Sequence, residues 1–312
     1  MKTRAYQQVD VFTDTAFLGN PLAVVLDGTG LSDAQMQTFA AWTQLSETTF
    51  VLPPTTEGDV GGADYRVRIF TPGAELPFAG HPTLGTAQAW LKAGNTPRQA
   101  GVLVQECGVG LVTLKQLGER WAFAAPPLNR SDISTEDLAP VLAALGLDAS
   151  EVIAAQHLNN GPHWLGVLVD SVDTVLALEP DHAALKKLGT KVGVTAKRQT
   201  AGSDLIRRAN REARAFAPST STTNTRIAND PTDLEVRAFA APVGIAEDPV
   251  TGSLNASLAQ WLMADGHMPV AYSARQGTAL GRAGQVFLSK DAQGQVWVGG
   301  DVVGCIQGAV TL

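Results

Sequence analysis

The sequence predicts an α+β protein built as two pseudo-symmetric lobes, and two observations carry that expectation. At 312 residues, 45% of them hydrophobic, the chain exceeds the usual size of a single core and has ample material for two. It also repeats itself in order. "VRIFTPGAELPFAGHPTLGTAQAWL" lies beside "VRAFAAPVGIAEDPVTGSLNASLAQWL": each starts Val-Arg-x-Phe, crosses a Gly/Pro loop and ends in an apolar helical run closing on Trp-Leu. Trp90 and Trp261 are counterparts in this comparison.

The flanking segments agree in the same order. "VDVFTDTAFLGNPLAVVLDG" followed by "LSDAQMQTFAAW" matches "VIAAQHLNNGPHWLGVLVDS" followed by "EPDHAALKKL", both reading strand, Gly/Asn turn, strand, helix. Downstream, "VLVQECGVGLVTLKQLGERWAFAA" and "ARQGTALGRAGQVFLSKDAQGQVWVGG" both read as turn-linked strands. The boundary is placed near residue 128, in the linker "APPLNRSDISTEDL", where Ser134 is expected to cap a short helix. The first lobe is thus 1–128 and the second 129–304. A last strand, "CIQGAVTL" (305–312), has no counterpart in the first half and is expected to cross back and complete the first lobe. Residues 197–232 break the symmetry, with Arg207, Arg208, Arg211 and Arg214 before "PSTSTTNT"; they read as a polar helix and a loop on a solvated face.

Composition narrows the function. A net charge of −7 supplies no basic stripe for nucleic acid or an anionic membrane, which leaves a small molecule as the expected partner. No apolar run is long enough to span a bilayer and the start "MKTRAYQQVDVF" lacks a signal-peptide core, so a soluble, cytoplasmic protein is expected. Cys107 and Cys305, the only cysteines, form no disulfide framework or zinc cluster. No phosphate loop, dinucleotide-binding glycine motif or metal-ligand spacing occurs, so neither a cofactor nor a metal is expected.

Equivalent loops of a duplicated protein face each other across the cleft between its lobes. Here they are "FAGHPT", in which Gly80 and His81 precede a helix with Pro82 in its first turn, and "EDPVTGS", with Asp248, Gly252 and Ser253 before another. Two helix N-termini pointing into one cleft would hold a carboxylate, so the substrate is expected to be anionic. His81, Asp248 and Ser253 supply a potential cation, an anion and a hydroxyl; Glu247 either joins them or faces solvent. In "TQLSETTFVLPP", Ser46 and Glu47 stand where an amphipathic helix gives way to an apolar strand. If Leu45 and Phe50 desolvate the Glu47 carboxyl, its pKa rises towards neutrality and it can both take and return a proton. The alternative is a solvated edge-strand glutamate.

"VDVFTDTAFLGNPLAVV", "LSETTFV", "FAGHPTLGTAQAWL" and "GIAEDPVTGS", in this order, resemble the PhzF-like family of phenazine-biosynthesis-type isomerases over nearly the whole chain. The resemblance implies the diaminopimelate epimerase fold, in which each lobe is a mainly antiparallel sheet or barrel wrapped around a central helix, and a homodimer. It implies Glu47 as the acid/base residue, His81, Asp248 and Ser253 in the same cleft, Gly80 and Gly252 as backbone N–H donors, and Asn20 and Ser46 nearby. Epimerases of this fold use two opposed thiols; here Ala79 and Asp248 stand at about those positions, and Cys107 reads as a strand turn.

The expected activity is therefore a cofactor-independent isomerase in which Glu47 moves a proton between carbons of a small anionic, conjugated or amino-acid-like substrate. An amino-acid epimerase or racemase, and an inactive small-molecule-binding protein of the same fold, are the alternatives.

Overall fold

The computed structural model describes residues 1–55, 62–198 and 232–312. The polar helix and loop expected from the Arg-rich and Ser/Thr-rich stretch fall at 199–231, outside the described residues.

The first half runs β1 (Thr3–Val11), β2 (Asn20–Val25), α1 (Asp33–Thr43), β3 (Glu47–Leu52), β4 (Tyr65–Phe70), β5 (Glu75–Leu76), α2 (Gly80–Lys92), β6 (Val102–Cys107), β7 (Gly110–Leu117) and β8 (Arg120–Ala124). There follow β9 (Asn129–Asp132), α3 (Thr135–Leu145), β10 (Val152–Asn159), β11 (His163–Val169), α4 (Val172–Ala177), α5 (His182–Leu188), β12 (Val192–Lys197), β13 (Leu234–Ala240) and β14 (Ile245–Asp248). The chain closes with α6 (Gly252–Ala264), β15 (Ala271–Gln276), β16 (Gly284–Lys290), β17 (Val296–Gly300) and β18 (Val302–Thr311). Ser134 caps α3 by accepting a hydrogen bond from the Asp137 N–H, as its position in the linker predicts.

Strand pairing repeats between the halves. β2 lies parallel to β3 as β11 does to β12, and β4 parallel to β6 as β13 does to β15. The β3–β4, β6–β7 and β7–β8 pairs are antiparallel, and so are β12–β13, β15–β16 and β16–β17. β8 and β17 then pair antiparallel, joining both halves into one sheet. β18 pairs with β1, as expected of the C-terminal strand, but it does have a counterpart: β9 takes the same place beside β10. Each half is followed by a strand that docks on the opposite half. β9 was illegible because its residues, Asn-Arg-Ser-Asp, are all exposed and carry no apolar alternation.

Each half of the sheet wraps a helix buried on nearly every side. In α2, Gly80 to Ala87, Ala89 and Trp90 are buried; in α6, Leu254 to Ala259, Trp261 and Leu262 are. A helix apolar or neutral all round has to be enclosed, and one continuous core holds both. Gly85 sets the closeness of the α2 contact, since a Cβ there would lie 2.6 Å from Leu22 Cδ2. Separate clusters form outside the sheets, α1 packing with Val25, Phe50 and Phe70, and α3 to α5 with the β11–β12 face and Phe239.

The sequence comparison needs one adjustment. Gly80 and Gly252 both occupy the first helical position, so Trp90 corresponds to Leu262 and Trp261 to Ala89. The Trp-Leu endings are out of step by one residue, which helices enclosed on all sides tolerate.

Candidate active site

The site forms where α2 and α6 meet end to end. A Cβ built on Gly252 would lie 3.1 Å from Gly80 Cα and 3.2 Å from the His81 nitrogen, so the two glycines permit a backbone approach that no other residue allows. No side chain caps either helix: the N-caps are Ala79 and Thr251, and neither makes a capping hydrogen bond. Both positive helix ends therefore open onto the same region. By this geometry the counterpart of Ala79 is Thr251 and not Asp248, which stands three residues earlier at the end of β14.

Glu47 enters from the sheet. α1 stops at Gln44, in the left-handed region at φ 57°, and β3 starts at Glu47, whose register partner on β2 is Leu22. Strand alternation turns Glu47 and Thr49 towards α2, where Thr86 Oγ1 donates to Thr49 Oγ1 at 2.9 Å. Phe50 lies on the opposite face, in the α1 cluster, so it does not desolvate Glu47 as expected from its nearness in sequence. The end of α2 and the second half's loop do so instead.

The Glu47 side chain is 15% exposed, and its buried Oε2 lies 3.4 Å from His81 Nε2. Neither of these buried atoms has a hydrogen-bond partner. Burial first, and then the nearby Asp248 charge, push Glu47 up from 4.5 to about 8. Burial pushes His81 down from 6.5 to about 3, against the raising effect of its hydrogen bond to the Pro21 carbonyl. At neutral pH this contact is a carboxylic acid facing a neutral imidazole, not an ion pair. His81 is accordingly not the cation that the sequence allowed it to be.

Asn20 ties the halves together. Its Nδ2 donates to Asp248 Oδ1 (3.1 Å) and to the Val250 carbonyl (2.8 Å), while its Oδ1 accepts from Ser46 Oγ (3.2 Å). Asp248 Oδ2 accepts from Thr251 Oγ1 at 2.6 Å. Burial raises the Asp248 carboxyl to about 6, with the Thr251 and Asn20 bonds opposing. Behind it, Gln276 Nε2 donates to the Asp248 carbonyl and to Thr251 Oγ1, both at 2.9 Å, and Asn255 Nδ2 donates to Gln276 Oε1 at 2.8 Å. Gln276 and Asn255 escaped the sequence reading because a lone amide on a strand or helix carries no spacing signal; Thr251 stood within the quoted loop.

The remaining candidates separate. Ser253 follows Gly252, but its hydroxyl accepts from Trp164 Nε1 (3.2 Å) and its carbonyl from Asn160 Nδ2 (2.9 Å), so it faces β11 instead of bonding to Asp248. Glu247 neither joins the cluster nor faces solvent: alternation turns it away from Asp248 into a bidentate pair with Arg237, at 2.9 and 2.7 Å. Cys107 ends β6 and Cys305 lies on β18, and burial raises both thiols. Among the described residues no group of His, Cys, Asp and Glu side chains could hold a metal ion, and no helix is long and apolar enough to cross a membrane.

Comparison with known proteins agrees with this architecture. The model of the phenazine biosynthesis-like protein family matches residues 9–308. The chain belongs to that family. It is 33% identical over 325 residues to antisense-enhancing sequence 1 of Schizosaccharomyces pombe, with 99% of both chains covered. Over 183 residues it is 39% identical to the trans-2,3-dihydro-3-hydroxyanthranilate isomerase of Pseudomonas aeruginosa, covering 58% of this chain and 62% of that one. A crystal structure of a PhzF-family phenazine biosynthesis protein from Bacillus anthracis superposes with a TM-score of 0.79 over 100% of both chains at 21% identity, which establishes the fold. This PhzF-family chain is an isomerase with the epimerase-like two-lobed fold.

Proposed function

We propose that this PhzF-family isomerase works without a cofactor and uses Glu47 as its only proton carrier. The observation that carries the reading is the Glu47 carboxyl beside the start of α2, raised to about 8 by burial and the nearby Asp248 charge, with its Oε2 3.4 Å from a neutral imidazole. A group that titrates near neutrality can visit both protonation states in each turnover. Ionised Glu47 takes a proton from a carbon activated by conjugation. The electron pair moves into the conjugated system, and the new carboxylic acid returns the proton to another carbon on the same face. His81 Nε2, 3.4 Å from Oε2, is placed to accept from the acid form once substrate closes the site. The helix N-termini, through the Gly80 and Gly252 ends, stabilise a substrate carboxylate, and Asp248, held by Asn20 and Thr251, pairs with a substrate amine or hydroxyl.

Both Asp248 oxygens are already hydrogen-bonded. That favours a single base and transfer on one face over the two opposed bases an epimerase requires. The reading extends to a small anionic substrate of the dihydro-hydroxyanthranilate type, to a cytoplasmic homodimer, and to a division of the chain into a first lobe of 1–128 completed by 305–312 and a second of 129–304. The test is proton NMR in D2O with trans-2,3-dihydro-3-hydroxyanthranilate. Wild type should isomerise it with deuterium entering only the newly protonated carbon, and Glu47→Gln should not. Deuterium entering one stereocentre with inversion and no double-bond shift overturns the reading in favour of an epimerase.

A further inference from the structure

The two helix N-termini offer an anion only partial positive charge, and none of the side chains described so far adds a full one. His81 is neutral, and Arg237 is committed, with Nε and Nη2 on Glu247 and Nη1 on the Val175 and Leu178 carbonyls. Lys191 is different. It lies between α5 and β12, directly before Val192, and its carbonyl accepts from the Leu165 N–H at 2.8 Å, which fixes its backbone. Its side chain is half-buried, and Nζ stands 4.8 Å from the centre of the Trp164 ring. The same indole donates through Nε1 to Ser253 Oγ at 3.2 Å. The ammonium is thus one ring's width from the start of α6. No carboxylate among the described residues forms an ion pair with it, although it and Asp248 feel each other's charge.

The repeat gives its place a meaning. Val192 pairs with Leu165 across β11–β12 as Glu47 pairs with Leu22 across β2–β3, so Lys191 is the second half's counterpart of Ser46. It reaches the start of α6 by way of Trp164 and Ser253, as Glu47 reaches the start of α2 at His81. We propose that Lys191 is a substrate-binding residue that pairs with the substrate's carboxylate, and that the Trp164 indole holds it there through a cation–π contact while also positioning Ser253. The assignment rests on the isomerase reading for its substrate, but not on Glu47 being the base.

The experiment is calorimetric titration of the full chain at pH 7.5 with two probes, 3-hydroxyanthranilate and its primary carboxamide. Wild type should bind the carboxylate at least tenfold more tightly. Lys191→Met keeps the stem that covers Trp164 and removes the charge; it should weaken carboxylate binding roughly 10- to 100-fold and leave the amide unchanged. Lys191→Arg should keep most of the preference. Thermal denaturation reports folding, and if the Met variant does not fold, Lys191→Gln is held to the same criterion. A variant without the charge that still prefers the carboxylate overturns the proposal, as does a wild type that prefers neither probe or binds neither. Were Lys191 present only to keep Asp248 ionised, its loss would neutralise Asp248 and preserve the preference for an anion, the opposite of the expected result. Because the readout is binding, a protein with no deuterium exchange but a Lys191-dependent preference keeps this inference and loses the Glu47 mechanism; exchange with a Lys191-independent preference does the reverse.

Discussion

Replacing Glu47 with Gln should cost activity and add stability, and the two effects share one cause. Raising the carboxyl from 4.5 to about 8 corresponds, at 1.36 kcal/mol per unit, to a preference for the neutral form on the order of 5 kcal/mol. Between those pH values the folded protein holds this proton and the unfolded chain has lost it. Ionisation therefore opposes folding, and this group's contribution, fully present below about pH 4.5, is lost as pH rises through about 8. The Gln variant has nothing to ionise. Its unfolding free energy relative to wild type should grow by about 3–5 kcal/mol from pH 5 to pH 9, read from urea denaturation at each pH. In the same window wild-type kcat/KM should climb about tenfold per pH unit and level off near 8, since only the ionised form takes the carbon-bound proton. The variant should lose about 10² to 10⁴ in kcat at similar ligand affinity. A stability difference that stays flat from pH 5 to pH 9 refutes the reasoning, because Glu47 would then be an ordinary carboxylate with no special capacity to shuttle a proton.

Gly252→Ala should force the two helix ends apart by a few tenths of an ångström, because its Cβ would meet Gly80 Cα at 3.1 Å; a destabilisation of about 1–3 kcal/mol is expected by chemical denaturation, with a larger proportional fall in kcat. The neighbouring carboxylates should part company: Glu247→Gln leaves Arg237 buried without its counter-charge and should lower stability by about 3–5 kcal/mol, whereas Asp248→Asn should act chiefly on turnover, a contrast read by denaturation and steady-state kinetics side by side. Replacing Cys107 and Cys305 together with Ser should leave turnover within a few-fold of wild type, and a loss of three orders of magnitude in a folded variant would restore a two-thiol mechanism.

Much of this architecture was legible because duplication writes a pattern twice. The strand and helix order and the Ser134 cap follow from apolar periodicity interrupted by Gly, Pro and Ser, whereas the two central helices start earlier than that reading placed them, at Gly80 and Gly252. What the sequence concealed was orientation. Glu247 and Asp248 are adjacent letters, yet on a strand they point to opposite faces, one into the Arg237 pair and the other towards Asn20. Phe50, three positions from Glu47, is likewise on the far side of its strand. Nor does spacing along the chain reveal a partner supplied from far away, as Gln276 is to Thr251 or Trp164 to Ser253. His81 showed the limit of residue identity: its charge is decided by burial, which removes the cation its type suggests.

The repeat also explains why one fold can serve both one-base and two-base chemistry. Two equivalent strand starts, at Glu47 and Val192, belong one to each half, each fixed by the same register against a leucine of the neighbouring parallel strand. A titratable group at both would place acid/base chemistry on both faces of a bound carbon, which inversion requires. This chain has a carboxyl at one and a valine, which cannot carry a proton, at the other. His81 and Ser253, at the second position of each helix, differ in the same way: one faces the acid, and the other is held by an indole. Symmetry therefore survives in the backbone, where it sets two anion-stabilising helix ends against each other, and is broken in the side chains. Among the described residues the raised carboxyl with an unpartnered oxygen lies on one side, so under the proposed mechanism a proton taken from a bound carbon returns to the face it left and shifts to another carbon within the substrate.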